Sequence, residues 1–197
     1  MRIIDDIKEH KIYGIIREDD PEYAYEIARA YQEGGIRFIE LNCPLEVTEK
    51  VSKLDNIVVS QGGIITTDQA HIALKAGATI ISSPIFQMNL VRFASCYTVF
   101  LIPSASTPNE AYNVWKARIP LVKIYPVMEM GGVEYIKDIM KPMPFLNILP
   151  CGFVKMEDIK GYLDAGATAV GVGRELYSKT TYSEIVSAVK EVMKMIK

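Results

Sequence analysis

Eight short runs rich in β-branched residues alternate with amphipathic segments along the 197 residues, and the runs are almost wholly apolar. Strands buried on both faces read this way, as in a parallel sheet flanked by helices. A faint internal repeat points in the same direction. ALKAGATIISSP (73–84) and GYLDAGATAVGVG (161–173) share a helix end, an AGAT turn and a strand, and EGGIRFIELN (33–42) is a looser third copy. Tandem β/α units leave such self-similarity behind. The fold class predicted is therefore α/β, a single (β/α)8 TIM barrel over residues 1–197. A doubly wound open sheet is the alternative. It lacks the expected GxGxxG turn, because the first strand runs into REDDPE.

The predicted strands are IYGIIRE (12–18), RFIELN (37–42), NIVVSQG (56–62), TIISSP (79–84), TVFLIPS (98–104), LVKIYP (121–126), LNILPCG (146–152) and TAVGVG (168–173). Between them, PEYAYEIARAYQEGG (21–35) is the clearest helix, with Pro21 at its start and glycines at its end. DQAHIALKAG, MEDIKGYLDAG and TYSEIVSAVKEVMKMIK behave alike. Trp115, the methionines and the C-terminal helix read as core packing.

Composition narrows the function. Apolar residues make up 49% and charged residues 23%, which describes a folded globular protein. A formal net charge of −2 gives no electrostatic case for nucleic acid or an anionic membrane. No apolar run approaches the ~18 residues that span a bilayer. MRIIDDIKEHK mixes charges among its apolar residues and does not read as a secretory leader, so the expected compartment is the cytoplasm. The three cysteines (Cys43, Cys96, Cys151) show no CxxC spacing, and His10 and His71 lie far apart. Neither a disulfide framework, a metal cluster nor a histidine triad is expected, and both histidines read as surface or cap residues.

Charge inside the strands carries the chemistry. The second strand holds Glu40, the sixth holds Lys123, and the first ends in Arg17 and Glu18. Side chains alternate along a strand, so Phe38, Glu40 and Asn42 share one face, as do Leu121, Lys123 and Tyr125. If those faces point inward, an acid and a lysine meet near the end of the barrel where such folds keep their chemistry. One reading is a buried ion pair that only fixes packing, where desolvation can exceed the Coulomb gain. The other is catalytic. Burial disfavours an ammonium, and a neutral lysine amine attacks ketones to form a Schiff base while a neighbouring carboxylate moves protons. QGG (61–63), PCGF (150–153) and GVGRE (171–175) follow apolar strands and offer backbone N–H groups to an anion. Each is equally a tight turn. Gly62, Gly63, Cys151, Gly152, Gly171, Gly173 and Arg174 are the candidate binding residues there, with Cys151 either a reactive thiol or a small buried hydrophobe.

Taken together, HKIYGIIR, GGIRFIEL, AGATIISSP, IPSAST, LVKIYP, LPCG and AGATAVGVG resemble, in order and spacing, the 2-keto-3-deoxy-6-phosphogluconate / 4-hydroxy-2-oxoglutarate aldolases over nearly the whole chain. The resemblance implies a class I aldolase on a homotrimeric barrel. It would act on a small keto acid, yielding pyruvate and an aldehyde, with no metal or organic cofactor. It makes Lys123 of the K-x-[FY]-P strand the Schiff-base residue and Glu40 the acid/base. Pro84 and Gly152 match pocket positions and Gly171 the phosphate turn. The chain departs from the pattern at the substrate. Pro44 stands where the family has its carboxylate-binding arginine, and Gly63 replaces a threonine. Cys151 and Phe153 replace a threonine and a glycine, Gly173 replaces a serine, and Glu129 falls one place late. Arg17 offers a replacement guanidinium for the carboxylate; a rim salt bridge with Glu18 or Asp20 is its alternative. Two other functions stay open: a divergent barrel that binds a ligand without catalysis, and a phosphosugar isomerase or epimerase, which would form no covalent adduct.

Overall fold

The computed structural model describes residues 3–178 and 181–196. Among these, eight parallel strands form one barrel: β1 (Ile12–Ile16), β2 (Phe38–Leu41), β3 (Val58–Gln61), β4 (Ile80–Ser83), β5 (Phe100–Ala105), β6 (Val122–Ile124), β7 (Ile148–Pro150) and β8 (Val170–Val172). They pair in the order β7-β6-β5-β4-β3-β2-β1-β8. The ring is drawn together where the Thr168 N–H donates to the Ile148 carbonyl at 2.9 Å. The helices outside are α2 (Pro21–Gly34), α3 (Leu45–Val51), α4 (Thr67–Lys75), α5 (Met88–Tyr97), α6 (Pro108–Lys116), α7 (Gly132–Met140), α8 (Ile159–Asp164), α9 (Arg174–Tyr177) and α10 (Tyr182–Met195).

Strand alternation divides the core in two. Inward residues Tyr13, Phe38, Ile80, Ile102, Leu121, Leu149 and Ala169 form one cluster inside the barrel. Outward residues such as Ile16, Ile39, Val122, Ile148 and Val172 pack against the helices. This two-sided burial explains why the strands read as continuous apolar runs instead of alternating ones.

The helices are set by local chemistry. Asp20 accepts from the Glu22 and Tyr23 N–H groups at the start of α2 (3.0 and 3.3 Å), and Gly35 closes it in the left-handed region at φ 107°. Thr66 with Gln69 and Thr107 with Glu110 form reciprocal capping boxes on α4 and α6. At the end of the chain, α10 lies against α2 so closely that Val189 occupies the space a side chain at residue 34 would need.

Two expectations change. The strands stop short of their predicted ends: Arg17, Tyr125–Pro126 and Cys151–Gly152 lie beyond the ladders, in the turns at the strands' C-terminal ends. Pro126 has no N–H with which to extend a ladder. Trp115 is 43% exposed and not core, stacked on Tyr112 and tilted against Phe145. The histidines do occupy bland positions. His10 Nε2 accepts from the Arg37 N–H at 3.0 Å, and His71 packs edge-on to Phe93 and Tyr97.

A first helix, α1 (Ile3–His10), is not singled out by the sequence pattern, because its charges break up a short apolar stripe. That stripe is its purpose. Ile3, Ile4 and Ile7 pack against the interior cluster at the end where the strands begin, and Ile7 is only 1% exposed. The helix thus closes the floor and leaves the opposite end as the open one. Ile7→Ala should cost about 2–5 kcal/mol of stability, as buried aliphatic truncations do. Urea unfolding checks this: a lower midpoint with an unchanged slope is expected, and an unmoved midpoint would contradict the floor role.

Candidate active site

Strand register builds the site. Ile15 of β1 lies beside Glu40 of β2, Glu40 beside Ser60 of β3, and Ser104 of β5 beside Lys123 of β6. All of these point inward by alternation, and the polar ones sit above the apolar layer. Across the interior, Lys123 Nζ donates to Glu40 Oε2 at 2.5 Å and to Ser82 Oγ at 2.6 Å. The far carboxylate oxygen, Glu40 Oε1, accepts from Asn42 Nδ2 at 3.0 Å. The Lys123 and Glu40 side chains are 8% and 5% exposed. The acid and the lysine therefore do meet inside the barrel.

Burial pushes the Glu40 carboxyl upward, but the Lys123 ammonium, its hydrogen bond, and those from Asn42 and Ser82 together hold it below its ordinary value. Glu40 is thus kept as a carboxylate. Cys151 is the opposite case. Its thiol is buried, and although Lys123 draws it down, it is pushed up to about 12. At neutral pH it is a protonated, apolar group, not a nucleophile, which favours the small-hydrophobe reading. Tyr13, beneath Glu40, is raised well above its usual value by burial and then by the carboxylate's charge.

A cavity of about 650 Å³ opens above the pair. Its lining includes Lys123, Glu40, Arg17, Gly63, Pro84, Cys151, Gly152, Gly171, Gly173 and Arg174, ten of the eleven residues the sequence points to. The exception is Gly62. It lies behind Asn42, whose side-chain amide fills the space a Cβ there would need, so this glycine makes room for a site residue without facing the cavity. Pro44 and Glu129 are exposed and also lie outside the lining.

Arg17 stands at the mouth, its backbone held by Tyr177, whose hydroxyl accepts from the Arg17 N–H (3.2 Å) and donates to its carbonyl (3.1 Å). Among the described residues Arg17 forms no ion pair, so the salt bridge to Glu18 or Asp20 is not made. Arg174 is likewise unpaired, and Lys155 approaches only Glu157, at 3.9 Å. Three cations, Arg17, Lys155 and Arg174, therefore line the cavity together with the Glu175 carboxylate. At the β7 end, Gly152 takes φ 105° with its Cα side against Pro126, where a Cβ would come within 3.0 Å of the Pro126 Cα. Phe153 follows it at φ 53° and is 71% exposed. Between β7 and β8, Cys151 Sγ fills the space that a side chain at residue 171 would occupy. Among the described residues no three His, Cys, Asp or Glu side chains converge to hold a metal. Nor is any described helix long and apolar enough to cross a membrane.

Asn42, Ser82 and Ser104 were not singled out as site residues by sequence reading. A signal for the serines exists. Ser60, Ser82 and Ser104 recur at one constant interval, each a lone inward hydroxyl on an apolar strand. Together they form a polar arc between the strand of Glu40 and that of Lys123.

The whole chain can now be set beside known proteins. The model of the KDPG and KHG aldolase family matches residues 3–192. The 2-dehydro-3-deoxy-phosphogluconate aldolase of Haemophilus influenzae is 24% identical over 206 aligned positions, covering 100% of this chain and 97% of that one. Two solved structures share the fold at 22% identity. The 2-keto-3-deoxy-6-phosphogluconate aldolase of Zymomonas mobilis, solved with 3-phosphoglycerate, has a TM-score of 0.88, covering 98% of this chain and 96% of that one. The KDPG aldolase of Legionella pneumophila, with pyruvate captured as a covalent carbinolamine, has a TM-score of 0.85, covering 97% and 98%. With a family model spanning nearly its full length, and with a lysine and a carboxylate meeting inside its barrel, the chain belongs to the KDPG and KHG aldolase family.

Proposed function

We propose that the chain is a pyruvate-forming class I aldolase, a lyase, and that residues 1–197 act as one catalytic domain. It reversibly cleaves a 2-keto-3-deoxy-(phospho)sugar acid or a 4-hydroxy-2-oxo acid to pyruvate and an aldehyde. The observation that carries this is the Lys123–Glu40 pair, 2.5 Å apart at the base of a cavity of about 650 Å³. Lys123 hands a proton to Glu40, and the freed amine attacks C2 of the keto acid. Loss of water leaves an iminium. Glu40 then takes the proton of the C4 hydroxyl, the C3–C4 bond breaks, and its electron pair flows into the iminium to give an enamine and the free aldehyde. Protonation at C3 and hydrolysis release pyruvate and restore the amine.

The rim supplies binding. Arg17 holds the substrate carboxylate in place of the arginine absent at Pro44. Gly63, Pro84, Gly152, Gly171 and Gly173 shape the walls, Cys151 is an apolar wall group, and Arg174 serves a distal anion. No cofactor takes part in this scheme. The family resemblance also carries a homotrimer in the cytoplasm. Two separate exposed apolar faces suit a cyclic assembly, in which each interface joins unlike patches: Ile72, Met88 and Tyr97 on α4 and α5, and Tyr112, Trp115 and Phe145 beside α6.

Borohydride reduction in the presence of pyruvate should fix a covalent adduct on Lys123, mapped by peptide mass spectrometry. No adduct, with any keto acid, would support the non-catalytic barrel that Pro44 and Phe153 allow. Glu40→Gln should lower turnover by about 10²–10⁴-fold, the usual worth of a positioned general base. Arg17→Ala should raise KM for the keto acid about tenfold or more while leaving adduct formation at saturation intact, since a charge-assisted hydrogen bond contributes about 1.5–3 kcal/mol. Light scattering coupled to size exclusion should return three times the 22.1 kDa chain mass. A single-chain mass would remove the trimer.

A further inference from the structure

Ser82 has no part in the reaction as described so far, yet it touches the reacting atom. It is 1% exposed, on the inward face of β4, and its Oγ accepts from Lys123 Nζ at 2.6 Å. Its hydroxyl is also near enough to Glu40 to help hold that carboxyl low. Lys123 Nζ thus bridges Glu40 and Ser82, with β6, β4 and β2 contributing one residue each. Two N–H groups of the lysine are committed to Glu40 and Ser82. In a neutral amine those are all the N–H groups it has, so the lone pair is left for the cavity.

We propose that Ser82 is a third catalytic group of this site, which aims the Lys123 lone pair and relays a proton between Nζ and Glu40. The inference rests on the Schiff-base reading above. As the Nζ–C2 bond forms, the carbonyl π pair moves to oxygen, and Glu40, protonated by the earlier transfer from Lys123, gives its proton to that oxygen. The positively charged nitrogen then passes one proton to Ser82 Oγ while the Ser82 O–H proton passes to the Glu40 carboxylate. Serine ends unchanged, the carbinolamine is neutral, and Glu40 again holds a proton. That proton goes to the departing hydroxyl, water leaves, and the nitrogen pair forms the C=N bond. Charge and protons balance: ammonium, carboxylate and ketone give iminium, carboxylate and water.

Loss of the Ser82 hydroxyl should change both the rate of adduct formation and its pH dependence. The titratable groups facing Glu40 are Lys123 from β6, Tyr13 from β1 and Cys151 from the turn after β7. Ser82 is one of the hydrogen bonds that hold the carboxyl low, so its loss raises Glu40. A step that needs the carboxylate then loses rate at a higher pH, and the acid limb of the profile moves up.

The experiment times adduct formation with pyruvate by rapid borohydride quench, across pH, for the wild type, Ser82→Ala, Ser82→Cys and Ser82→Thr. Thermal melts accompany it to identify variants that fold. Ala and Cys should slow trapping on the order of 100-fold or more, as loss of a proton-transfer group does, and shift the acid limb upward. Thr, which keeps the hydroxyl on a β-branched strand residue, should restore most of the rate. Wild type that traps alongside folded Ala or Cys variants of equal rate and unmoved limb overturns the role of Ser82 alone. Wild type that forms no adduct overturns the aldolase reading and this inference with it.

Discussion

A charged lysine and a charged glutamate, both inside a barrel otherwise filled with apolar side chains, are the constraint around which this structure is arranged. Removing two such charges from water costs several kcal/mol each, and their attraction repays it only with good geometry and every remaining donor and acceptor satisfied. The neighbours supply much of this. Lys123 reaches Glu40 and Ser82, and the second carboxylate oxygen is met by Asn42. Asn42 has room because residue 62 lacks a side chain. A glycine that looks like part of a binding turn thus belongs to the support of the carboxylate.

The barrel separates stability from chemistry along each strand. At the lower end the inward residues form an apolar cluster, and α1 closes the floor beneath it. At the upper end the same strands carry Glu40, Ser82, Ser104 and Lys123, open to the cavity. The pair is almost wholly buried, and its electrostatic interactions are correspondingly strong. Cys151 and Gly171 continue that dry wall between β7 and β8, where thiol and bare backbone meet without a gap. The thiol's neutrality suits the place, because a thiolate there would compete with Glu40 for the lysine.

Much of this was legible in the chain, for physical reasons. Parallel strands covered on both faces must be apolar throughout, so a lysine or glutamate inside one stands out, and period-two alternation says which residues share its face. The alternation brought Glu40 and Lys123 to one space before any geometry was known. What stayed hidden depends on distances between strands. The even spacing of the serines marks an arc but no single member of it, and only the distance across the barrel shows that Ser82 reaches Nζ, although Ser104 is the one in register with Lys123. The floor helix was hidden because eight residues with four charges carry too short a stripe to read as amphipathic. Trp115 misled in the opposite direction: a large aromatic is usually buried, and this one lies on the outer face with Tyr112 and Phe145.

Most of the departures from the family pattern lie in turns, Cys151 lies in the buried wall, and the lysine and glutamate are kept; the geometry explains how these hold in one chain. The Lys123 and Glu40 side chains sit on strands whose ladders fix them, whereas Arg17, Phe153, Lys155 and Arg174 sit in or next to turns that tolerate change. Phe153 shows how far such a turn can go. A side-chain-bearing residue in the left-handed region costs on the order of 1–2 kcal/mol, and an exposed aromatic ring gains little from burial to offset it. That ring lines a cavity that also carries three cations and Glu175, where the resemblance expects a bare glycine backbone. The rim and the lysine–carboxylate pair beneath it are thus held by separate parts of the fold, and turns at the rim can change without disturbing the strands that fix the pair.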